Sequence, residues 1–296
     1  TCADIRVTDA GGKSIPYWIE QSPGCNNAAT VIWAKVSSIS TTGTYIYVYY
    51  GNPTVHSESN GTNTFLFFDD FSANTIGTIW QICTGAGGAG TCSSSSSNWT
   101  ITGGVLDHTV KEAAVARATI PQVDDYVINT RSKITDGTGA YGASSICVIK
   151  DTTNNIDYNY RKETGAKRAE IRNVVLGGST VNTGTFSYTL DQFYKVQAYK
   201  SGSNLKLDID GSNIINVTQS AATGFVNIEL YNYEEAGEWD YVFLRKSASA
   251  LPTTSAPTNE EKSPAPAAYW KFDEGYGTAT SDAAGHGNSG SISGPT

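Results

Sequence analysis

Residues 194–218 read YKVQAYKSGSNLKLDIDGSNIINVT, and this stretch decides the fold. YKVQAYK (194–200) turns at Ser201-Gly202-Ser203-Asn204 into LKLDI (205–209), which turns again at Asp210-Gly211-Ser212 into NIINVT (213–218). Apolar and polar residues alternate with period two, and the breaks fall on Gly, Asn, Asp and Ser, the residues that tight turns demand. Two successive hairpins make an antiparallel meander, with Leu205, Leu207 and Ile209 on its core face.

The same grammar extends in both directions. FLFFDDF (65–71) opens a large β region and EWDYVFLRK (238–246) closes it, with short strands between them at the spacing of sandwiches and jelly rolls. Upstream, residues 3–22 form a hairpin about Asp9-Ala10-Gly11-Gly12, with Ile5 and Val7 answered by Ile15, Tyr17 and Ile19. TVIWAKV (30–36) and TYIYVYY (44–50) are apolar on both faces and read as central strands, until Gly51-Asn52-Pro53 stops the sheet. Downstream, residues 248–267 are a Pro/Ser/Thr linker of extended character, followed by a short tail, 268–296. No helical stripe exceeds two turns. The expected class is all-β: two β-sandwich or jelly-roll domains with an extended linker and a C-terminal strand.

The chain of 296 residues carries 30 glycines and 17 tyrosines, with only 16% charged residues. A net charge of −8 argues against nucleic acid or an anionic membrane as partner, and no apolar run is long enough to span a bilayer. The sequence lacks methionine and begins without a signal peptide, which reads as a mature form whose targeting segment has been removed. Cys83 and Cys92 bracket a Gly/Ala loop, and Cys2 and Cys25 flank the first hairpin, so each pair is expected to be bridged; Cys147, in SSICVIK, reads as a buried small apolar residue. Staples of this kind belong to an oxidising compartment, extracellular or at the cell surface. Sequons at Asn60, Asn98 and Asn216 agree with that location if the source glycosylates.

ADIRVTDAGGKSIPYWIEQ, VIWAKVSSISTTGTYIYVYYGNP and FDDF, in that order, resemble a domain of unknown function numbered 2341, found in microbial surface proteins. The resemblance covers residues 2–71. Residues 65–247 are similar, more diffusely, to a concanavalin A-like jelly roll, and AYWKFDEGYGTATSDAAGHGN resembles the opening of a second laminin G-like module. The implied organisation is an incomplete first sandwich (1–64), a jelly roll (65–247), the linker (248–267) and a partial module or donor strand (268–296). The resemblance also implies one structural calcium where the first and last jelly-roll strands meet, with Asp69 or Asp70 and Asp240 as its oxygen ligands, while Asp273 and Asp282 are the corresponding acids of the tail.

These incomplete modules suggest strand complementation. The tail segment Ala268, Tyr269, Trp270, Lys271, Phe272 and Asp273 would be the donor, and the edge around Ala3–Thr8 the acceptor. Contacts of that kind are head-to-tail and join copies of the chain into an extracellular filament. The alternative is a carbohydrate-binding, adhesive module of a larger surface protein, for which Tyr45, Tyr47 and Tyr49, or Tyr158, Tyr160, Tyr231 and Tyr233, would stack on sugar rings. Glycans are thus expected as attached or bound partners. Catalysis is not expected: Glu234, Glu235, Glu238 and Asp240 crowd one Gly-containing turn, and His56, His108 and His286 stand in polar contexts without a nucleophile elbow.

Overall fold

The computed structural model describes residues 2–110, 114–173, 179–247, 253–254, 268–273, 277–285 and 287–293. The chain divides into two compact units, Thr1–Leu251 and Pro252–Thr296. The linker expected at 248–267 lies outside the described residues except for 253 and 254.

The first unit is all-β. Its N-terminal segment holds β1 (Arg6–Asp9), β2 (Tyr17–Ile19), β3 (Ile32–Ala34) and β4 (Ile46–Tyr49), then one helical turn, α1 (Gly61–Thr64). The sandwich strands follow: β5 (Phe67–Asp69), β6 (Trp80–Cys83), β7 (Cys92–Ser93), β8 (Trp99–Thr102), β9 (Val105–His108), β10 (Val115–Val123), β11 (Tyr126–Ile134) and β12 (Tyr141–Asp151). They continue as β13 (Asn154–Glu163), β14 (Ala166–Asn173), β15 (Thr180–Gly184), β16 (Tyr194–Ser201), β17 (Asn204–Ile209), β18 (Ser212–Thr218), β19 (Phe225–Tyr233) and β20 (Gly237–Arg245). A front sheet runs β15-β14-β13-β12-β19-β10-β6-β7, and a back sheet runs β18-β17-β16-β11-β20-β9-β8 with β5 on β20. The meander β16-β17-β18 and the pairing of the opening strand β5 with the closing strand β20 follow the period-two reading.

Inward side chains of the two sheets make one core. Ile146 and Val148 on β12, Ile156, Tyr158 and Tyr160 on β13, and Ile228 and Leu230 on β19 meet Ile128, Val196, Leu205, Leu207, Ile209, Val242 and Leu244 of the back sheet. Tyr158 and Tyr160 are therefore core residues and not a sugar platform. Cys147, one position out of phase with that core, sits instead beneath the front sheet's outer surface with Cys83, Ala86, Val115, Ile149 and Tyr231.

The N-terminal segment packs on the outer surface of the back sheet. Trp18 contacts Phe65, Phe68, Tyr241 and Phe243 edge-on at 5.1–5.8 Å between ring centroids. Beside it Glu20, buried, accepts hydrogen bonds from the Tyr241 hydroxyl at 3.0 Å and from Trp33 Nε1 at 3.0 Å, and is ion-paired with Lys195. A carboxylate removed from water needs such partners to remain charged.

Two expectations about this segment are corrected. Residues 30–36 and 44–50 do not form central strands: β3 pairs with β2 and β4 with β1, each in a two-stranded sheet. Every side chain from Tyr45 to Tyr50 is exposed, Tyr45 to 74%. Aromatic and β-branched residues favour strands whether or not a second layer covers them, so this pattern does not report burial. The edge expected to be open at Ala3–Thr8 is occupied: β1 lies between β4 and the returning chain, where Thr8 bridges Ser14 and Ile15 N–H donates to Val7 C=O at 2.8 Å.

In the second unit β21 (Ala279–Thr280) pairs with β22 (Gly290–Ser291). The expected donor strand folds against this hairpin. Tyr269 N–H donates to Asp282 Oδ1 at 2.9 Å, Trp270 forms a bridge with Asp282, and Trp270 Nε1 donates to Asn288 C=O at 2.7 Å. Tyr269, Trp270 and Phe272 keep exposed rings, and Asp282 serves as a local hydrogen-bond anchor. Tyr269 and Trp270 of the expected donor segment Ala268–Asp273 are thus engaged within their own unit.

Trp18→Ala removes the ring around which the N-terminal segment docks. The expected cost is about 3–5 kcal/mol, the usual range for deleting a buried aromatic side chain, read as an earlier denaturant midpoint with faster proteolytic loss of residues before Phe65.

Candidate functional site

The outer surface of the front sheet concentrates charge that is out of water. On β13 the residues alternate strictly: Ile156, Tyr158 and Tyr160 point into the core, leaving Asn155, Asp157, Asn159 and Arg161 on the outer face. Strand register then builds rows across the sheet. One row places Arg117, Glu229, Cys147, Asp157 and Arg172 side by side on β10, β19, β12, β13 and β14. The next places Tyr231, Ser145, Asn159 and Glu170 together, and the next Tyr233, Ala143, Arg161 and Arg168.

The two halves of this face differ. Over β10 and β19 lies the loop between Cys83 and Cys92, which form one disulfide; Cys2 and Cys25 form the other. Glu229 anchors the loop, accepting from Gly87 N–H at 2.7 Å, Gly88 N–H at 3.1 Å and Arg117 Nε at 2.7 Å, while Arg117 Nη2 also donates to Ala89 C=O at 2.6 Å. A Cβ at Gly88 would lie 3.0 Å from the Ile149 side chain at a φ of +84°, so glycine fits here for both space and backbone conformation. Every acceptor position of Glu229 is directed at the loop or at Arg117. It is a structural carboxylate.

The half on β13 and β14 is less satisfied. Asp157 Oδ2 accepts from Asn159 Nδ2 at 2.8 Å, but Asp157 Oδ1, Asn159 Oδ1 and Arg161 Nε are buried and make no hydrogen bond of good geometry among the described residues, the Ser145 hydroxyl standing near the Asp157 carboxyl without closing one. Asp157 is 3% exposed, and burial pushes its carboxyl up to about 6 against the opposing pull of Asn159, Arg172, Ser145 and Arg161. Glu170, also buried, is held by Arg161 Nη1 at 3.2 Å and Arg168 Nε at 2.5 Å. Around this floor stands a partly accessible rim: Tyr141, Tyr233, Glu163, Arg168 and Arg172. Acceptor-only carboxyl oxygen, amide and guanidinium within one patch suit a ligand rich in hydroxyl groups, each of which both donates and accepts.

The acids expected in the turn at 234–240 do not converge. Glu235 is buried between Lys162 Nζ and Tyr188 Oη, each at 3.5 Å, and burial pushes its carboxyl up to about 7. Glu234 is exposed, Glu238 pairs with Lys133 at 3.1 Å, and Asp240 with Arg131 at 2.6 Å. Asp70 accepts from Gln21 Nε2 at 3.0 Å and from Ser72 N–H at 3.2 Å, whereas Asp69 is buried and accepts from Trp80 Nε1 at 2.8 Å and Thr75 Oγ1 at 2.7 Å. Asp70 and Asp240 thus have separate partners, and no group of three metal-ligating side chains occurs among the described residues. His108 is buried and stacks on Trp99 at 4.4 Å, His56 is exposed, and His286 lies outside the described residues. The sequons at Asn60 and Asn216 are exposed and that at Asn98 is half-buried.

Residues 1–83 match the family described as Domain of unknown function (DUF2341). No curated protein matches the chain. Among solved structures, similarity is found to the CBM2 module of the evolved Dit of Lactobacillus casei BL23 phage J-1, with 10% identity over 61% of this chain and 94% of that one and a TM-score of 0.46. The endo-beta-1,3-glucanase from Pyrococcus furiosus matches with 14% identity over 63% and 95% and a TM-score of 0.47. The Bacillus licheniformis beta-glucanase matches with 12% identity over 61% and 98% and a TM-score of 0.46. The expectation that the chain is not an enzyme, which the crowded turn at 234–240 had suggested, is withdrawn: glucanases are among the structures it is similar to. No described helix is long and apolar enough to cross a membrane.

The Asp157 carboxyl carries a pH signature. Its value rises from 3.8 to about 6 on folding, so the folded state holds the proton more tightly. Its contribution to stability is full below about pH 4 and is lost as pH rises through about 6. Asp157→Asn should therefore stabilise the protein at pH 7 by roughly 2–3 kcal/mol and leave it little changed at pH 3.5. Chemical denaturation of both proteins at the two pH values measures this.

Proposed function

We propose that the chain is a carbohydrate-binding module of an extracellular protein, and that the outer front face around Asp157, Asn159 and Arg161 receives the sugar. The observation that carries this reading is the set of unpaired polar atoms, Asp157 Oδ1, Asn159 Oδ1 and Arg161 Nε, brought together on neighbouring positions of one strand face. Unpaired buried polar groups each cost on the order of 1–3 kcal/mol, and sugar hydroxyls entering between the rim side chains supply the missing donors and acceptors. Tyr233, on the row that Arg161 completes, offers a ring for stacking. Two staples and three sequons support an oxidising, extracellular setting.

A glycan array probed with the whole chain, followed by titration calorimetry on the strongest oligosaccharide, tests the reading. Arg161→Ala and Asp157→Asn should each weaken binding at least tenfold. Because Asp157→Asn is expected to raise stability, lost binding in that variant separates recognition from unfolding. Unchanged affinity in both variants refutes the assignment of this face.

A second reading, self-assembly of copies by strand addition, draws on β4. Among the described residues this strand pairs with β1 alone, it carries no charge from Tyr45 to Tyr50, and those residues are exposed. Natural edges are usually blunted by charge or proline. Val48→Lys should convert assembled material to monomer in light scattering if the edge is used, and an unchanged mass in wild type and variant removes this reading.

A further inference from the structure

A further cavity lies away from the front face. A cleft of about 780 Å³ opens between the N-terminal segment and the start of the sandwich, lined among others by Trp18, Gln21, Ser57, Asn60, Thr62 and Asp70. A second cleft of about 380 Å³ begins on the other side of Asn60, bounded by Pro16, Tyr17, Glu58 and Asn63. Asn60 thus stands on the wall between two open spaces, and it is the first residue of the sequon Asn60-Gly61-Thr62.

The local geometry presents this sequon for modification. Asn60 caps α1: its Oδ1 accepts from Asn63 N–H at 2.9 Å, and Thr64 Oγ1 donates to Asn60 C=O at 2.6 Å. Capping uses only the carbonyl oxygen of the side-chain amide. The nitrogen is not needed for the cap, and substitution on it leaves the oxygen free to go on accepting. Gly61 is fixed by packing, since a Cβ there would lie 2.2 Å from the Phe68 ring. With Gly61 turned inward, Asn60 and Thr62 are both exposed and both line the larger cleft. Trp18 and Phe68 are also among the lining residues, as are Gln21 and Asp70, which are bonded to each other. A lining that combines apolar side chains with amide, carboxylate and hydroxyl groups is one that a pyranose with an N-acyl group complements.

We propose that Asn60 carries an N-linked glycan and that its first sugars lie in this cleft, covering the junction of the N-terminal segment with the sandwich. The donor would be an oligosaccharide linked to a polyprenyl diphosphate. Asn60 Nδ2 forms the new C–N bond at the sugar anomeric carbon, the bond from that carbon to the diphosphate oxygen breaks, the amide loses one proton, and the lipid diphosphate departs. The hydroxyl of Thr62, two residues on, completes the acceptor signature. This site stands apart from the front face, so either assignment holds if the other fails.

The test uses the full chain secreted from a host with an oligosaccharyltransferase. Glycopeptide mass spectrometry measures occupancy at Asn60, and a peptide-N-glycosidase is then applied to native and to denatured protein. Occupied Asn60 is expected, with release from native protein at least tenfold slower than after denaturation. Thr62→Ala should abolish occupancy at Asn60 while the far-ultraviolet circular dichroism stays that of the parent. An unmodified Asn60, or release at the same rate from native and denatured protein, overturns the proposal.

Discussion

A carboxylate taken out of water must be paired, neutralised or served by something brought from outside. Asp157 is a place in this protein where that constraint is not fully resolved among the described residues. One of its oxygens is bonded to Asn159, the other makes no hydrogen bond of good geometry among the described residues, and its proton is held to a higher pH than usual. Glu20 and Glu229 show the contrast. Each is buried, and each is surrounded by donors that belong to the fold: Tyr241, Trp33 and Lys195 for the first, Gly87, Gly88 and Arg117 for the second. Those two carboxylates hold the structure together. Asp157 is left with capacity to spare.

The architecture directs that capacity to one surface. The outer face of the back sheet is covered where Trp18 and Phe65 pack on Tyr241 and Phe243, and half of the outer front face is covered by the Cys83–Cys92 loop. On the front sheet the β13–β14 half remains, with its polar floor and its rim of Tyr233, Arg168 and Arg172. The free Cys147 thiol lies under the covered half between Glu229 and Asp157, and burial together with both carboxylates pushes its titration upward. It therefore behaves as packing, not as a nucleophile.

Much of the fold was legible in the sequence because its signals are local. Period-two alternation and the Gly/Asn/Asp turns fix β16, β17 and β18, and a nine-residue separation fixes the staple that holds the loop. Position across the sheet is another matter. Asp157, Asn159 and Arg161 alternate visibly with Ile156, Tyr158 and Tyr160, but only the flanking strands show which polar positions are buried, and β19 begins more than sixty residues after β13 ends. Tyr45, Tyr47 and Tyr49, like Tyr158 and Tyr160, stand at alternate positions, yet the first set is exposed and the second lies in the core. The Glu20–Tyr241 bond joins residues 221 apart, so neither residue announces the other. Tight turns could be read; the chemistry of a sheet face could not.

The most direct test of the glycan-binding face is a crystal structure of the chain with its best oligosaccharide ligand. The account predicts sugar oxygens within hydrogen-bond distance of Asp157 Oδ1, Asn159 Oδ1 and Arg161 Nε. A sugar bound elsewhere, with these three atoms paired to ordered water or to side chains of the protein itself, would contradict it.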